Sequence, residues 1–248
     1  MILPTLSGHR LIRLTILDCG TFSVRGGERI IGLPAYLLET DQGAKLLVDG
    51  GFPPSYATDP EAAATADGLP RFGALIDHND IATELARTGT RIEELTAHIL
   101  THGHIDHVGA LSRISCPLIL TAAERADPKP RYFGTARPVD WPDVETLTIS
   151  EQTQLCDGIT LIPTPGHTPG HMSLLLTLAE TGHVILAADA INRASEPDEG
   201  YPDADDPITA HTSGSALMKL SRKLGALLIY GHDPAQWADL RKAPAHYD

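Results

Sequence analysis

The stretch Thr101-His102-Gly103-His104-Ile105-Asp106-His107-Val108-Gly109-Ala110, written THGHIDHVGA, decides how the chain is read. Three imidazoles and a carboxylate fall between positions 102 and 107, and a glycine follows in the next turn. Such a run is either a polar loop rich in histidine or one edge of a metal site. His102 and His104 lie two apart, so at the end of an extended strand they project to the same side. Asp106 and His107 follow after the chain has begun to turn, so they can face a second point nearby. Paired ions in hydrolases stand roughly 3.5–4 Å apart, which suits that arrangement. Four residues cannot fill two sites, so a metal reading demands more ligands downstream.

Three further segments supply them. Thr164-Pro165-Gly166-His167-Thr168-Pro169-Gly170-His171 follows a strand pattern and holds His167 in a loop shaped by glycine and proline. Ala187-Ala188-Asp189-Ala190 puts an acid at the end of an apolar run, where an unpaired carboxylate would be costly. Tyr230-Gly231-His232-Asp233 puts a histidine after the last apolar run. Each candidate sits in the turn after a strand, so all can converge on one sheet edge.

The elements around these turns are short. Residues 11–17 read as a strand, and 35–39 with 45–48 read as a hairpin about Thr40-Asp41-Gln42-Gly43. Residues 53–73, rich in Pro, Ala, Gly and Asp, read as a surface loop or lid. Helical spacing appears over 80–88 and 213–224, and strand patterns over 97–100, 117–120, 159–162, 172–178, 184–188 and 227–230. Hairpins interrupted by helices in each half predict two packed sheets with helices outside.

Composition narrows the function classes. A hydrophobic share of 42% over 248 residues suits one large folded α/β unit rather than a disordered chain. The net charge of −13, from 19 Lys and Arg against 32 Asp and Glu, repels polyphosphate, so nucleic acid is not an expected partner. No apolar run is long enough for a membrane span, and no secretory leader pattern opens the chain; a cytoplasmic location is the expectation. Cys19, Cys116 and Cys156 are far apart and lack CxxC spacing, and they read as buried reduced thiols. Monomer and homodimer are both compatible with this reading.

HxHxDH at 102–107, followed by His167, Asp189 and His232, resembles the metallo-β-lactamase superfamily over nearly the whole chain. The phrases TPGHTPGHMSL, AADA and YGHD, with LLETDQGAKLLVDGG near the start, are most similar to its N-acyl-homoserine lactonase branch. The resemblance implies an α/β αββα sandwich, with two mixed β-sheets face to face and helices outside, in a single domain spanning 1–248. It implies that His102, His104 and His167 hold one divalent metal and Asp106, His107 and His232 another. Asp189 would bridge the two beside a hydroxide. An imidazole-rich, carboxylate-bridged pair suits Zn2+. The di-iron flavoproteins of the superfamily carry glutamate where His104 stands, which favours zinc and leaves iron, cobalt and manganese as alternatives.

Other residues have two readings. His171, at the start of a strand, reads as a hydrogen-bonding support for the site rather than a ligand. Asp49 stands at a position the family uses near its metals, and it is equally a turn aspartate capping a hairpin. Gly50 replaces the family's usual threonine. His9, His78, His98, His183, His211 and His246 have no partner motif and read as surface or hydrogen-bonded polar residues. The lactonase branch commonly carries a tyrosine a few residues after its bridging acid. Here Asn192 is the candidate donor, and no tyrosine comes before Tyr201. Phe22, Leu33, Phe52 and Tyr132 are candidates to hold an acyl chain, with core packing as the alternative for each.

Two metals make hydroxide available near neutral pH. In the expected reaction that hydroxide attacks a carbonyl, and Asp106 passes a proton to the departing oxygen. The chemistry opens esters, thioesters, lactones and lactams. The branch resemblance implies a lactone substrate, N-acyl-homoserine lactones and hence quorum quenching. The runner-up is a carboxylic-ester or thioester hydrolase of the glyoxalase II type, whose glutathione-binding tail has no counterpart after His232. A non-catalytic metal-binding protein is the remote third reading, since no ligand of the set is missing.

Overall fold

The computed structural model describes residues 3–24, 29–66, 75–130 and 139–248. Strands β1 (Leu11–Val24) and β2 (Arg29–Thr40) pair antiparallel from Leu11↔Thr40 to Val24↔Arg29, with register shifts between Asp18 and Thr21. The turn at 41–44 returns the chain into β3 (Lys45–Val48); Gly43 there has φ +83°, and Ala44 N–H donates to Thr40 Oγ1. Strands β4 (Leu75–His78), β5 (Ala97–Ile99), β6 (Leu118–Thr121) and β7 (Thr146–Ile149) complete a seven-stranded sheet in the order β4-β1-β2-β3-β5-β6-β7. From β3 to β7 its pairings are parallel. The second sheet, in the order β12-β11-β10-β9-β8, comprises β8 (Thr153–Cys156), β9 (Ile159–Pro163), β10 (Met172–Leu178), β11 (Gly182–Ala188) and β12 (Leu227–Tyr230).

The period of two along each strand builds the layers. Leu14, Ile16, Tyr36, Leu38, Leu46 and Val48 pack against Leu161, Leu174, Leu176, Val184 and Leu186, forming the core between the sheets. The alternate residues Leu17, Leu37 and Leu47 face outward. They pack with Ile81 and Leu85 of α3 (Ile81–Ala86), with Ile92 and Leu95, and with Val108 and Leu111 beyond the histidine motif. On the far side, Ile185 and Ala187 of β11 pack on Leu217 of α6 (Pro207–Leu224). Two mixed β-sheets face to face with helices outside are the expected αββα sandwich.

Particular elements differ from the sequence expectation. Residues 53–73 are not simply a loop: α1 (Pro54–Thr58) and α2 (Pro60–Ala66) occupy their first part, and 67–73 lie outside the described residues. Proline at the first helical position is pre-organised for a helix, and the alanines that follow propagate it. The helix expected over 213–224 begins at Pro207, because the Asp206 side chain accepts from Ile208 N–H and Thr209 N–H, both at 3.1 Å. Strands β4, β7 and β8 lie outside the sequence expectation: each mixes polar with apolar residues over four positions, unlike the equally short and mostly apolar runs of β3, β6 and β12. Cys19, Cys116 and Cys156 are buried and unbridged. No helix among the described residues is long and apolar enough to cross a membrane.

His98 also departs from expectation. It sits in β5 between Leu47 and Leu118, is fully buried, and neither ring nitrogen has a hydrogen-bond partner. His78 likewise has buried ring nitrogens with no partner. Burial pushes His98 down from 6.5 to about 4, so the folded chain binds its proton more weakly than the unfolded chain does. Stability from this residue is therefore intact above pH 6.5 and is lost as pH falls toward 4. The loss amounts to about 3 kcal/mol at ~1.4 kcal/mol per pH unit. Denaturant unfolding across that range should show a shallower pH slope for His98→Leu than for wild type.

Candidate metal centre

The turns at the strand ends meet on one edge of the sandwich. The segment after β5 folds back on the Val48-Asp49-Gly50-Gly51-Phe52 turn that ends β3: Gly109 N–H donates to Gly51 O at 2.8 Å. A Cβ on Gly109 would lie 2.2 Å from Phe52 O, so only glycine permits that approach. His167 comes from the loop between β9 and β10, Asp189 from the end of β11, and His232 from the end of β12. Asp49 (φ +58°) and Ala188 (φ +46°) hold left-handed backbone at two of these ends. Such non-glycine conformations cost about 1–3 kcal/mol each and persist where the surroundings over-determine them.

Two groups of buried ligand-capable side chains result. His102, His104, His167 and Asp189 form one, and Asp106, His107 and His232 the other, with ligand atoms in each group within 4.8 Å of one another. Asp189 faces both. Its Oδ2 lies 3.1 Å from His167 Nε2 and 3.8 Å from His102 Nε2. Its Oδ1 lies 3.2 Å from His232 Nε2 and 3.4 Å from His107 Nε2. Within the groups, His104 Nδ1 is 3.0 Å from His167 Nε2, and Asp106 Oδ2 is 3.4 Å from His232 Nε2.

The far side of each ring is tied down. His102 Nδ1 donates to Thr101 Oγ1, which itself donates to Asp49 Oδ2. His107 Nδ1 donates to the same Asp49 oxygen at 2.9 Å, and His232 Nδ1 to Gly32 O at 2.8 Å. All three rings thereby turn Nε2 inward, and those three atoms, with Asp189 Oδ1, are buried with no hydrogen-bond partner. Leaving four buried polar atoms unmade would cost several kcal/mol. A divalent cation in each group would satisfy them, and backing of a ligating imidazole by a carboxylate or carbonyl is the usual support.

Asp49 thus orients Thr101 and His107, and its side chain does not cap the hairpin. His171 points away from the ligand groups: its Nε2 accepts from Asp189 N–H at 3.0 Å, and its Nδ1 donates to Thr164 Oγ1 at 2.9 Å. That hydroxyl passes the chain to Ser173 Oγ and on to Ala187 O. Burial holds His171 at about 3, so the ring is neutral and anchors the backbone of Asp189. The sequence reading missed Glu124, which lies in α4 (Ala122–Arg125). Its Oε1 accepts from Gly103 N–H and its Oε2 from Thr168 Oγ1, both at 2.7 Å, joining the loop of His102 and His104 to that of His167.

A profile of the metallo-beta-lactamase superfamily matches residues 33–232, which contain all seven of these side chains. The chain belongs to the metallo-β-lactamase superfamily. N-acyl homoserine lactonase of Bacillus cereus is 31% identical over 217 residues, 84% of each chain. N-acyl homoserine lactonase AttM of Rhizobium radiobacter is 26% identical over 262 residues, covering 95% of this chain and 98% of that one. Among solved structures, an N-acyl homoserine lactone hydrolase with N-hexanoyl-L-homoserine at its catalytic metal center has the same fold. It gives a TM-score of 0.79 at 24% identity over 96% of this chain and all of that one.

The superfamily site opens on a small cleft of about 70 Å3. Asp106, His167, Asp189 and His232 form part of its lining, beside Phe22, Val24, Ile31, Asn192, Arg29, Arg193 and Asp203. Of the expected acyl-chain contacts, Phe22 lines the cleft. Leu33 and Phe52 do not: both are buried in the core between the first sheet and its helices, where Phe52 stacks on Phe22 and Tyr56. Tyr132 lies outside the described residues. Asn192 is in the cleft wall, but its Nδ2 donates to Glu196 Oε1 at 3.2 Å, leaving Oδ1 buried without a partner. Tyr201 does not replace the absent tyrosine, because its buried hydroxyl packs against Gly214 of α6.

Burial and neighbouring charges pull the acid–base balance of these side chains in opposite directions. Burial alone would raise the Asp189 carboxyl, but His232, His107, His167 and His102 outweigh it and hold it well below the usual carboxylate range. Burial opposes charge on His107 and His232, yet Asp106, Asp49 and Asp189 push His107 up, and Asp189 brings His232 to about 8. His102, with burial and three neighbouring rings against it, is pushed well down. A metal must displace protons from the raised rings, so apparent affinity should fall as pH drops below about 8. Calorimetric titration of divalent metal into the metal-free protein, in buffers of differing ionisation enthalpy, should show proton release. Glu124→Ala should weaken metal binding roughly 10- to 100-fold, because both ligand loops lose their common acceptor; competition with a chromogenic chelator measures it.

Proposed function

We propose that this chain is a dinuclear metal-dependent lactonase that opens N-acyl homoserine lactones, with quorum quenching as the consequence. The observation that carries it is Asp189, whose two carboxylate oxygens face two separate imidazole groups at the base of a cleft walled by Phe22, Val24 and Ile31. Relatives bearing the lactonase name over most of the chain point to the lactone class. His102, His104 and His167 would hold one ion and Asp106, His107 and His232 the other, with Asp189 shared. The donor set of imidazoles and carboxylates suits Zn2+. Bound there, two such ions supply a water acidic enough to ionise near neutral pH and a Lewis acid for the carbonyl.

The chain's own groups do the rest. Asp49 and Gly32 O keep the Nε2 atoms of His107 and His232 turned inward. Asp106 faces His232 with Oδ2, while Oδ1 has no hydrogen-bond partner; this oxygen would take the proton released by the attacking water and pass it to the departing alkoxide as the ring opens. Phe22, Val24 and Ile31 offer apolar surface to an acyl chain and keep water from it. Residues 1–248 act as one unit, and three buried unbridged thiols fit a reducing cytoplasm.

Purified protein should carry about two zinc ions per chain by elemental analysis and open N-acyl homoserine lactones faster than S-lactoylglutathione or a penicillin, followed by acid release. Fast thioester cleavage with inert lactones would transfer the assignment to the glyoxalase II-type reading. Asp189→Asn should weaken both ions together; tight retention of two ions would make Asp189 a structural acid instead.

A further inference from the structure

His232 is held from behind by a main-chain oxygen rather than a side chain, and that oxygen needs support of its own. His232 Nδ1 donates to Gly32 O at 2.8 Å, so the aim of Nε2 follows wherever the β2 backbone places Gly32. Strand pairing alone specifies that stretch loosely. β3 pairs with β2 only from Tyr36 to Glu39, and on the other side the β1 register shifts between Asp18 and Thr21, the residue opposite Gly32. Pro34, two residues on, has no N–H to give to the ladder.

The indole of Trp237 supplies what the ladder lacks. A Cβ on Gly32 would lie 2.1 Å from Trp237 Cδ2 and 2.3 Å from Cε2, so the ring rests on the Gly32 backbone where only glycine admits it. Trp237 is itself anchored to the strand that carries His232. It belongs to the helix Pro234–Asp239, whose capping residue Asp233 follows His232 directly and accepts from Ala235 N–H and Gln236 N–H. Gln236 ties the helix back to β12: its Oε1 accepts from Tyr230 N–H at 2.9 Å, and its Nε2 donates to Leu228 O at 2.8 Å. Lys242 Nζ stands 4.4 Å from the ring centre and donates to Trp237 O. The indole thus joins β12 of one sheet to β2 of the other, at the one residue whose carbonyl backs His232.

We propose that Trp237 is a positioning residue for one of the two ions: by seating on Gly32 it fixes the carbonyl that orients His232, and so sets the affinity of the Asp106, His107 and His232 group without touching a ligand. Without that acceptor the imidazole is free to rotate and to carry its proton on Nε2, the atom the ion needs. The group of His102, His104 and His167 has its own supports and is indifferent to Trp237. This role presupposes the two-ion reading of the centre and adds to it a support outside the ligand set.

The test is competition for Zn2+ with a chromogenic chelator, on wild type, Trp237→Leu and Trp237→Phe, with circular dichroism certifying that each is folded. Wild type should hold two ions. Trp237→Leu should weaken one of them about tenfold or more, the range for lost backing of a ligating imidazole, and leave the other within twofold. Trp237→Phe keeps an aromatic ring over Gly32 and should recover most of the loss; a Phe variant no better than Leu overturns the ring contact as its cause. A double-mutant cycle identifies the ion: Trp237→Leu added to His232→Ala should cost no further affinity, because the residue through which it acts is gone. Losses that add in full overturn the positioning role, since a general loosening of the edge would produce them. So do a folded Trp237→Leu that binds both ions as wild type does, and one that weakens both equally; the two-ion reading survives each of these. If Trp237→Leu does not fold, Gly32→Ala carries the test, because its methyl displaces the indole and should weaken the same ion, and unchanged binding there overturns the role. A wild type that binds fewer than two ions overturns the two-ion reading and this role with it.

Discussion

Everything at this site depends on keeping a carboxylate ionised in a buried place. Asp189 can remain charged there only because imidazoles surround both of its oxygens, and those rings come from three different turns. Desolvation alone would protonate it and turn its oxygens into poor ligands. The sandwich therefore brings strand ends together that are far apart in sequence, and it fixes each with a partner behind it: Asp49 behind His107, Gly32 behind His232, His171 behind the Asp189 backbone. The left-handed residues Asp49 and Ala188 are the local cost of aiming those ends inward.

Much of this was legible in the sequence because the ligand pattern is joint. HxHxDH, His167, Asp189 and His232 recur after apolar runs, and a strand end is where a polar side chain can leave the core without leaving the edge. The fold class followed from the same alternation, since residues such as Leu46 and Leu47 face opposite layers. Less legible were features that depend on contact across the chain. Glu124 looks like any helix acid until Gly103 and Thr168 are seen to meet it. His98 looks like a surface residue until β3 and β6 close over it. Leu33 and Phe52 could not be sorted from Phe22 by type, because all three are apolar and only tertiary packing decides which one borders the cleft. The start of α6 was obscured because its first turns carry polar residues, and the capping aspartate precedes the apolar stripe.

The wall beyond Asp189 separates two tasks within one loop. Asp189 faces the imidazoles, whereas the Asn192 amide turns to Glu196, which also lies beside Arg193. The ligand-capable Asp189 and the cleft-wall residues Asn192 and Arg193 are different residues of the same loop.

The ligands are contributed by both sheets: His102, His104, Asp106 and His107 follow a strand of the first, and His167, Asp189 and His232 follow strands of the second. Neither sheet holds a complete set for the group containing His104 or for the group containing Asp106. The centre thus behaves as a coincidence detector for assembly. A chain with one sheet formed and the other unpaired, or with the two docked out of step, has no complete site to mis-metallate. Competence for catalysis therefore requires sequence-distant contacts between the sheets, the kind whose loop-closure entropy slows folding.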